Sequence, residues 1–157
     1  MTRIFNLLNE GNVFASLAAK NKEEVLRTLI SSLEPDVEKP ELIAIEEAVF
    51  EREKIMSTGV GKGLAIPHGK LAGINNNYAA FAMLQPPVDY QSVDEEPVSM
   101  VFLLVGPKSS NSMHIKMLSH ISRLMNNNSF RQKLKECTTS KEILNVFEEE
   151  EHLHFTS

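Results

Sequence analysis

The chain has 157 residues, a formal net charge of −5, and 42% hydrophobic against 24% charged residues. This composition is typical of a globular domain, and the acidic balance argues against nonspecific nucleic-acid binding. The sequence has a single cysteine, Cys137, no signal-peptide pattern and no apolar run of the roughly 20 residues that span a bilayer. These features and the chain length predict one cytoplasmic domain over residues 1–157.

The first elements in chain order are a possible short strand at 13–17 and two amphipathic helices. Asn21 followed by Glu24 is typical of a helix start, and apolar residues recur at three-to-four spacing after it. Pro40 fits the first turn of a second helix, which we expect to run into Arg52.

Strand patterns follow at 64–67, 78–84 and 99–105, with a shorter one near 88–90. The run 101–105 is apolar on both faces, so layers are expected above and below it. The pattern predicts an α/β fold, a helix-sheet-helix sandwich with about five strands.

Three more helices are predicted after the last strand. One spans roughly 113–126 with Ser112 as its N-cap, and a shorter one spans about 129–137. Thr139 and Glu142 form a capping-box signature for the last helix.

A glycine-rich turn, Ser-Thr-Gly-Val-Gly-Lys-Gly-Leu-Ala-Ile-Pro-His, occupies residues 57–68 and ends in a histidine, His68. Its alternate glycines, Gly59, Gly61 and Gly63, permit positive φ, so backbone N–H groups can surround an anion. An ordinary turn beside a structural histidine is the alternative interpretation.

Two nucleotide-binding motifs do not fit this turn. The Walker pattern requires glycine where Met56 stands and Ser or Thr where Gly63 stands. The dinucleotide fingerprint requires strand, glycines and then helix, whereas here a helix pattern precedes the glycines and a strand pattern follows.

His114 is a second candidate because Ser112 as N-cap would place it in the first turn of a helix. Helix N-termini favour anions and keep an imidazole neutral. Ligands of layered α/β folds collect at the carboxyl ends of strands, so His68 and His114 can reach one rim. His114 as a mere helix-start residue is the alternative.

Arg52 is the third candidate, at the junction of the second helix and the glycine turn. Its guanidinium can bind a phosphate in a bidentate manner, or it can pair with the neighbouring Glu51 and Glu53.

Other polar residues are interpreted as structural or solvated. His120 lies six residues after His114 and points elsewhere, and Cys137 is a passive thiol without a motif. The acidic stretch 148–151 and the histidines of 152–154 favour a solvated terminus, frayed over about the last eight residues, above a metal site. No carboxylate cluster suggests magnesium, so we expect neither metal nor cofactor.

Taken together, Arg52-Glu53, the run 57–70 and His114-Ile115 closely resemble the enzyme IIA domains of the bacterial phosphoenolpyruvate-dependent sugar phosphotransferase system. The branch is that of the fructose, mannitol and nitrogen-regulatory types, and the resemblance covers nearly the whole chain. Mannitol-type members replace much of the glycine turn, so the sequence is more similar to the other two types.

The resemblance implies a mixed sheet flanked by helices and assigns three site residues. His68 would accept a phosphoryl group from the phosphocarrier HPr or its nitrogen-branch counterpart, His114 would be the supporting histidine, and Arg52 would stabilise the phosphate. The group would then pass to an EIIB component, or the phosphorylation state would regulate binding to target proteins. Such a protein is at most peripheral to a membrane.

The chemistry of histidine agrees with this role, since a neutral imidazole is a nucleophile near pH 7. The new phosphoryl charge requires hydrogen-bond donors close by. The donors expected from the turn are Ser57, Thr58, Gly59, Gly61 and Gly63.

Overall fold

The computed structural model describes residues 3–155, with side chains to residue 153. Its strands are β1 (Val13–Leu17), β2 (Gly59–Gly61), β3 (Leu64–Ala65), β4 (His68–Leu71), β5 (Tyr78–Val88) and β6 (Val98–Pro107). Its α-helices are α1 (Lys22–Ser31), α2 (Lys39–Ile55), α3 (Asn111–Met125), α4 (Asn128–Glu136) and α5 (Ser140–Phe155). Short 3-10 turns lie at Ile4–Leu7, Glu34–Asp36 and Lys108–Ser110.

The strands form one mixed sheet in the order β1-β5-β6-β3-β2, and β4 pairs with β6 beyond the end of β3. The β5–β6 and β2–β3 pairs are antiparallel, whereas β1–β5, β3–β6 and β4–β6 are parallel. The predicted α/β class is confirmed, with six strands instead of about five. The separate strand predicted near 88–90 is wrong, because β5 continues to Val88. The unpredicted strands β2 and β4 are short and contain glycines, so they lack the apolar alternation that indicates a strand.

The sheet separates two apolar cores. One core contains residues of α1 and α2, and the other contains residues of α3, α4 and α5. Residues 101–105 of β6 alternate between the two cores and are fully buried, which confirms the predicted sandwich. None of the helices described is long and apolar enough to cross a membrane.

Side-chain caps start the helices largely as predicted. Asn21 accepts the Glu24 N–H at 2.9 Å, and Thr139 and Glu142 form a reciprocal capping box at 3.1 Å in both directions. The prediction of Ser112 as an N-cap was wrong. The 3-10 turn after β6 moves the N-cap to Ser110, so His114 is the fourth residue of α3.

The predicted fraying from about residue 150 was also wrong at its start, because α5 continues to Phe155. Glu151 is 0% exposed and accepts the N–H groups of Ile4 at 2.7 Å and Phe5 at 2.5 Å. The Nε2 atom of His120 lies 2.8 Å from the same carboxylate. The end of α5 is therefore anchored to the N-terminal segment and to α3, and His120 has the structural role expected of it.

Candidate functional site

His68 begins β4, directly after the chain passes through Pro67 from β3. Leu64 and Ile66 pack into the core on the α3 side of the sheet, so the alternation of strand residues directs His68 to the same face. The parallel pairing of His68 with Leu104 fixes its height along the sheet. The strand predicted at 64–67 is shorter in the structure and ends at Ala65, and the histidine belongs to the next strand.

One ring nitrogen of His68 is already engaged. Nδ1 lies 2.9 Å from the carbonyl oxygen of Ile66. Because a carbonyl only accepts, Nδ1 must carry the hydrogen. Burial is the largest influence on the pKa of His68 and lowers it, and the charges of Arg52 and Lys70 act in the same direction. The hydrogen bond to Ile66 and the charge of Glu53 oppose them, and the pKa remains below its usual value. The ring is therefore neutral at pH 7, with the lone pair on Nε2.

His114 lies beside this ring, with the two ring centroids 5.8 Å apart. It is 2% exposed, and neither of its ring nitrogens has a hydrogen-bond partner among the described residues. Burial, followed by the charges of His68 and Lys70, lowers its pKa to about 4. A neutral imidazole always carries one N–H, so His114 holds a buried donor without an acceptor. Such a group is costly unless a ligand or water engages it.

A glycine makes room for His114. At Gly106 a Cβ atom would lie only 3.1 Å from Nδ1 of His114 and 2.5 Å from Oδ1 of Asn77. Any larger residue at position 106 of β6 would displace one of these side chains.

Arg52 reaches the site because α2 packs unusually close to β4. A Cβ atom at Gly69 would lie 3.2 Å from the backbone nitrogen of Val49, so a larger residue would require α2 to move by a few tenths of an ångström. The Nη1 atom of Arg52 donates to the Met56 carbonyl at 2.8 Å. Its positive charge is one of the causes that lower the pKa of His68.

The alternative interpretation of Arg52, pairing with adjacent glutamates, does not match the ion pairs of the described residues. Glu53 pairs with Lys22 at 2.7 Å and Glu51 with Lys54 at 3.4 Å.

The glycine turn is a β-hairpin between β2 and β3, with Lys62 and Gly63 at positive φ in the turn. Gly59 pairs with Ala65, and the Thr58 carbonyl accepts the Ile66 N–H, so Ser57 lies close to the His68 end. Gly61 and Gly63 lie at the other end. At about 3.3 Å per strand residue, Gly63 is roughly 16 Å from His68.

The strand register therefore places Ser57 at the His68 end of the hairpin and leaves Gly61 and Gly63 distant from His68. Thr58 is near, yet its N–H and hydroxyl both donate to Glu53, at 2.8 and 2.5 Å. The hydroxyl of Ser57 accepts from the Gly59 N–H at 3.1 Å and lies 3.3 Å from the Tyr90 carbonyl. The donors of this turn are therefore distant or already engaged, so the positive charge near His68 comes mainly from charged side chains.

Two residues of the site were not singled out from the sequence. Lys70 lies two residues after His68 on β4, donates to Asn111, and lowers the pKa of both histidines by its charge. The spacing of two would have placed Lys70 on the face of His68, had β4 been recognised. Glu53 is buried behind the site. It belongs to the Arg52-Glu53 pair on which the family resemblance partly rests, but no role of its own was predicted for it.

No three His, Cys, Asp or Glu side chains among those described, between residues 3 and 153, are arranged to hold a metal ion.

Comparison with known proteins gives the family. Residues 6–150 match the family model for the phosphoenolpyruvate-dependent sugar phosphotransferase system, EIIA 2. The chain is 33% identical over 143 residues to a nitrogen regulatory protein of Bradyrhizobium diazoefficiens, covering 91% of this chain and 93% of that protein. It is 31% identical over 144 residues to the fructose-specific EIIABC component of Bacillus subtilis, covering 92% of this chain but 23% of that protein.

A solved structure supports the same conclusion. The nitrogen regulatory protein IIA-Ntr of Neisseria meningitidis superposes with a TM-score of 0.83 at 27% identity, covering 92% of this chain and 98% of that one. The fold and the match together define a component of a phosphotransferase system. The chain belongs to the EIIA 2 family of the phosphoenolpyruvate-dependent sugar phosphotransferase system.

Proposed function

We propose that the protein carries a phosphoryl group on Nε2 of His68, received from an HPr-like phosphocarrier and passed to an EIIB component. The observation that carries the proposal is the hydrogen bond from Nδ1 to Ile66, which leaves Nε2 as the nucleophilic atom of a neutral ring. Neither a metal nor an organic cofactor is needed for transfer between two side chains. We place the reaction in the cytoplasm, where an unpaired thiol such as Cys137 stays reduced.

The transfer step balances without any further reactant. The lone pair of Nε2 forms the new N–P bond, while the bond between phosphorus and the phosphocarrier breaks and its electron pair stays on the phosphocarrier. Nδ1 keeps its hydrogen, so positive charge develops on the His68 ring. The Ile66 carbonyl, which accepts that hydrogen, stabilises the developing charge.

Three side chains would stabilise the transferred phosphoryl group. Arg52 and Lys70 supply positive charge that acts on His68, and in the unmodified site their side chains donate to Met56 and Asn111. His114 supplies an N–H that has no acceptor among the described residues. A phosphoryl oxygen on Nε2 of His68 would give that donor a partner, so the interaction is stronger after transfer than before it.

Labelling from phosphoenolpyruvate tests the proposal. Incubation with enzyme I and HPr should give a phosphoprotein that is labile in acid and stable in base, and His68→Ala should abolish it. The exposed His152 on α5 offers a matched control, since His152→Ala should label normally. Undiminished labelling of the His68→Ala variant would rule out this acceptor.

A regulatory function is the second candidate. A nitrogen regulatory relative matches at 33% identity and a nitrogen regulatory structure superposes with a TM-score of 0.83, which supports this role as the 31% identity to the fructose-specific component supports transport. In this case phosphorylation of His68 would control binding to a target protein. Discharge of the labelled protein by an EIIB domain would support transport. Retention of the label, together with a partner that binds only one phosphorylation state, would support regulation.

A further inference from the structure

A buried carboxylate lies behind the histidine site and has no part in the proposed transfer. Glu53 is 8% exposed, in the last turn of α2. Its Oε2 atom accepts the Thr58 N–H at 2.8 Å and pairs with Lys22 at 2.7 Å. Its Oε1 atom accepts the Thr58 hydroxyl at 2.5 Å, with the Tyr90 hydroxyl 3.4 Å away.

These contacts join three separate parts of the chain. Lys22 begins α1, Thr58 precedes β2, and Tyr90 follows β5. The ammonium of Lys22 also lies 4.7 Å from the centre of the Tyr90 ring. A carboxylate with four donors in a buried site is strongly held, and removing it would leave the Thr58 N–H and the Lys22 ammonium without this acceptor.

From Glu53 a series of hydrogen bonds leads to the catalytic ring. Glu53 holds Thr58 by its N–H, the Thr58 carbonyl accepts the Ile66 N–H at 3.0 Å, and the Ile66 carbonyl accepts Nδ1–H of His68 at 2.9 Å. Each bond places the residue that makes the next one. The position of the Ile66 carbonyl, and through it the tautomer of His68, thus depends on where Thr58 is held.

We propose that Glu53 is the positioning residue of this site: it holds Thr58, and through Thr58 and Ile66 it orients the His68 ring with Nε2 free. The effect on transfer rests on the proposed function, whereas the effect on the ring does not. Arg52 adds to this role, because it is next to Glu53 in α2 and donates to Met56 in the same segment. One helix end thereby fixes both the ring and its positive neighbour.

The direction in which Glu53→Gln changes the transfer rate distinguishes a positioning role of Glu53 from a purely electrostatic one. The charge of Glu53 raises the pKa of His68, so Glu53→Gln should lower that pKa and increase the neutral fraction of the ring. It would also remove a negative charge that repels the incoming phosphoryl group. A purely electrostatic role therefore predicts faster transfer in the variant, whereas a positioning role predicts slower transfer.

The experiment compares the full chain with its Glu53→Gln variant by ring ¹⁵N NMR and by the initial rate of labelling from phosphorylated HPr. We expect a mixture of His68 tautomers in place of Nδ1–H alone, and about tenfold slower labelling, the usual effect of losing a charged hydrogen bond. Glu51→Gln is the matched control, since that carboxylate lies two residues earlier in α2 and is 74% exposed.

A milder pair of variants guards against loss of folding. Thr58→Val removes the hydroxyl that donates to Glu53, whereas Thr58→Ser keeps a hydroxyl there. The Val variant should show a changed His68 tautomer and slower labelling, and the Ser variant should resemble the wild-type chain in both measurements. An unchanged tautomer in both Glu53→Gln and Thr58→Val would overturn the proposal, as would faster labelling of Glu53→Gln. If the wild-type chain failed to accept phosphate, the NMR result would still decide the role of Glu53, and only the proposed function would fall.

Discussion

His114 is unusual because a buried imidazole normally has a partner for its N–H. Its neighbours are the ring of His68, the backbone at Gly106 and the ammonium of Lys70, and none of them accepts a hydrogen bond from it. The unmodified site thus contains an unsatisfied donor that a phosphoryl oxygen would satisfy. The N–H of His114 is therefore already oriented to stabilise the transition state before the phosphoryl group arrives.

Replacing His114 with Ala should slow transfer to His68 by about 100-fold, the effect of removing one oriented donor from a site of developing charge. Labelling should still reach the same endpoint, because the nucleophile is intact. The initial rate of labelling is the measurement, and His114→Gln, which retains a donor, should lose less. An initial rate equal to that of the wild-type chain would contradict the role given to His114.

Stability should also depend on pH through His114. Its pKa is about 4 in the folded chain against 6.5 when unfolded, so the unfolded chain binds the proton first. The neutral form of His114 therefore favours the folded chain fully above pH 6.5, and this stabilisation is lost as the pH falls towards 4. The free energy of unfolding should be about 2 kcal/mol lower at pH 5 than at pH 7.5 from this residue.

Urea unfolding at the two pH values measures this difference, and the same measurement on His114→Gln isolates the histidine. The variant should lose most of the pH dependence. If it retained the wild-type dependence, the proton would have to bind elsewhere.

Helix α2 and strand β4 form the contact that assembles the site. Gly69 lets the helix backbone approach the strand, and the end of the same helix carries Arg52 and Glu53. A change in this contact should therefore affect chemistry at His68 without touching any residue of the site.

The variant Gly69→Ala tests this contact. Its Cβ would lie 3.2 to 3.3 Å from the backbone and side chain of Ala48 and Val49, so α2 must shift by a few tenths of an ångström. We expect a loss of about 1–3 kcal/mol in unfolding free energy, together with slower labelling. Gly73→Ala is the control, because it strains a backbone with φ of 88° but meets nothing within 4 Å. Unaltered labelling of Gly69→Ala would show that the site tolerates movement of α2.

The elements show which parts of the fold the sequence could predict. Helix caps such as Asn21 and Thr139 act over three residues, so they were found from local patterns. The strand β4 was missed because its pairing with β6 depends on a distant segment, and His68-Gly69-Lys70-Leu71 has no strand signature of its own.

The site was predictable to a similar degree. His68, His114 and Arg52 lie in motifs that a family resemblance can identify, and the rings of the two histidines lie 5.8 Å apart in the structure. The glycine turn was interpreted as an anion-binding loop, but alternate glycines equally allow a tight hairpin, and strand pairing decides between the two. Burial of Glu53 depends on Lys22 and Tyr90, which lie over thirty residues away along the chain.

The two ends of the described chain are held together by one carboxylate. Glu151 accepts two backbone N–H groups of the first 3-10 turn and contacts His120 of α3. Every one of these partners is far from Glu151 in sequence, so this carboxylate holds the last helix against the N-terminal segment and α3.

Glu151→Gln should therefore lower the free energy of unfolding by about 3 kcal/mol, because an amide has a single acceptor oxygen and leaves a buried N–H unsatisfied. Urea unfolding measures the loss. The exposed Glu149 on the same helix provides the control, and Glu149→Gln should change stability by less than about 0.5 kcal/mol. Equal stability of the two variants would argue against this anchor.

Adjacent ends also have a consequence for protein engineering. Because Ile4 and Glu151 lie within hydrogen-bonding distance, a short peptide could join the two ends of the described chain and produce a closed ring. New ends could then be opened at the Lys62–Gly63 turn, which lies roughly 16 Å from His68 along β3 and β4. The same adjacency would let the fold be inserted into a loop of another protein without separating the two sides of that loop.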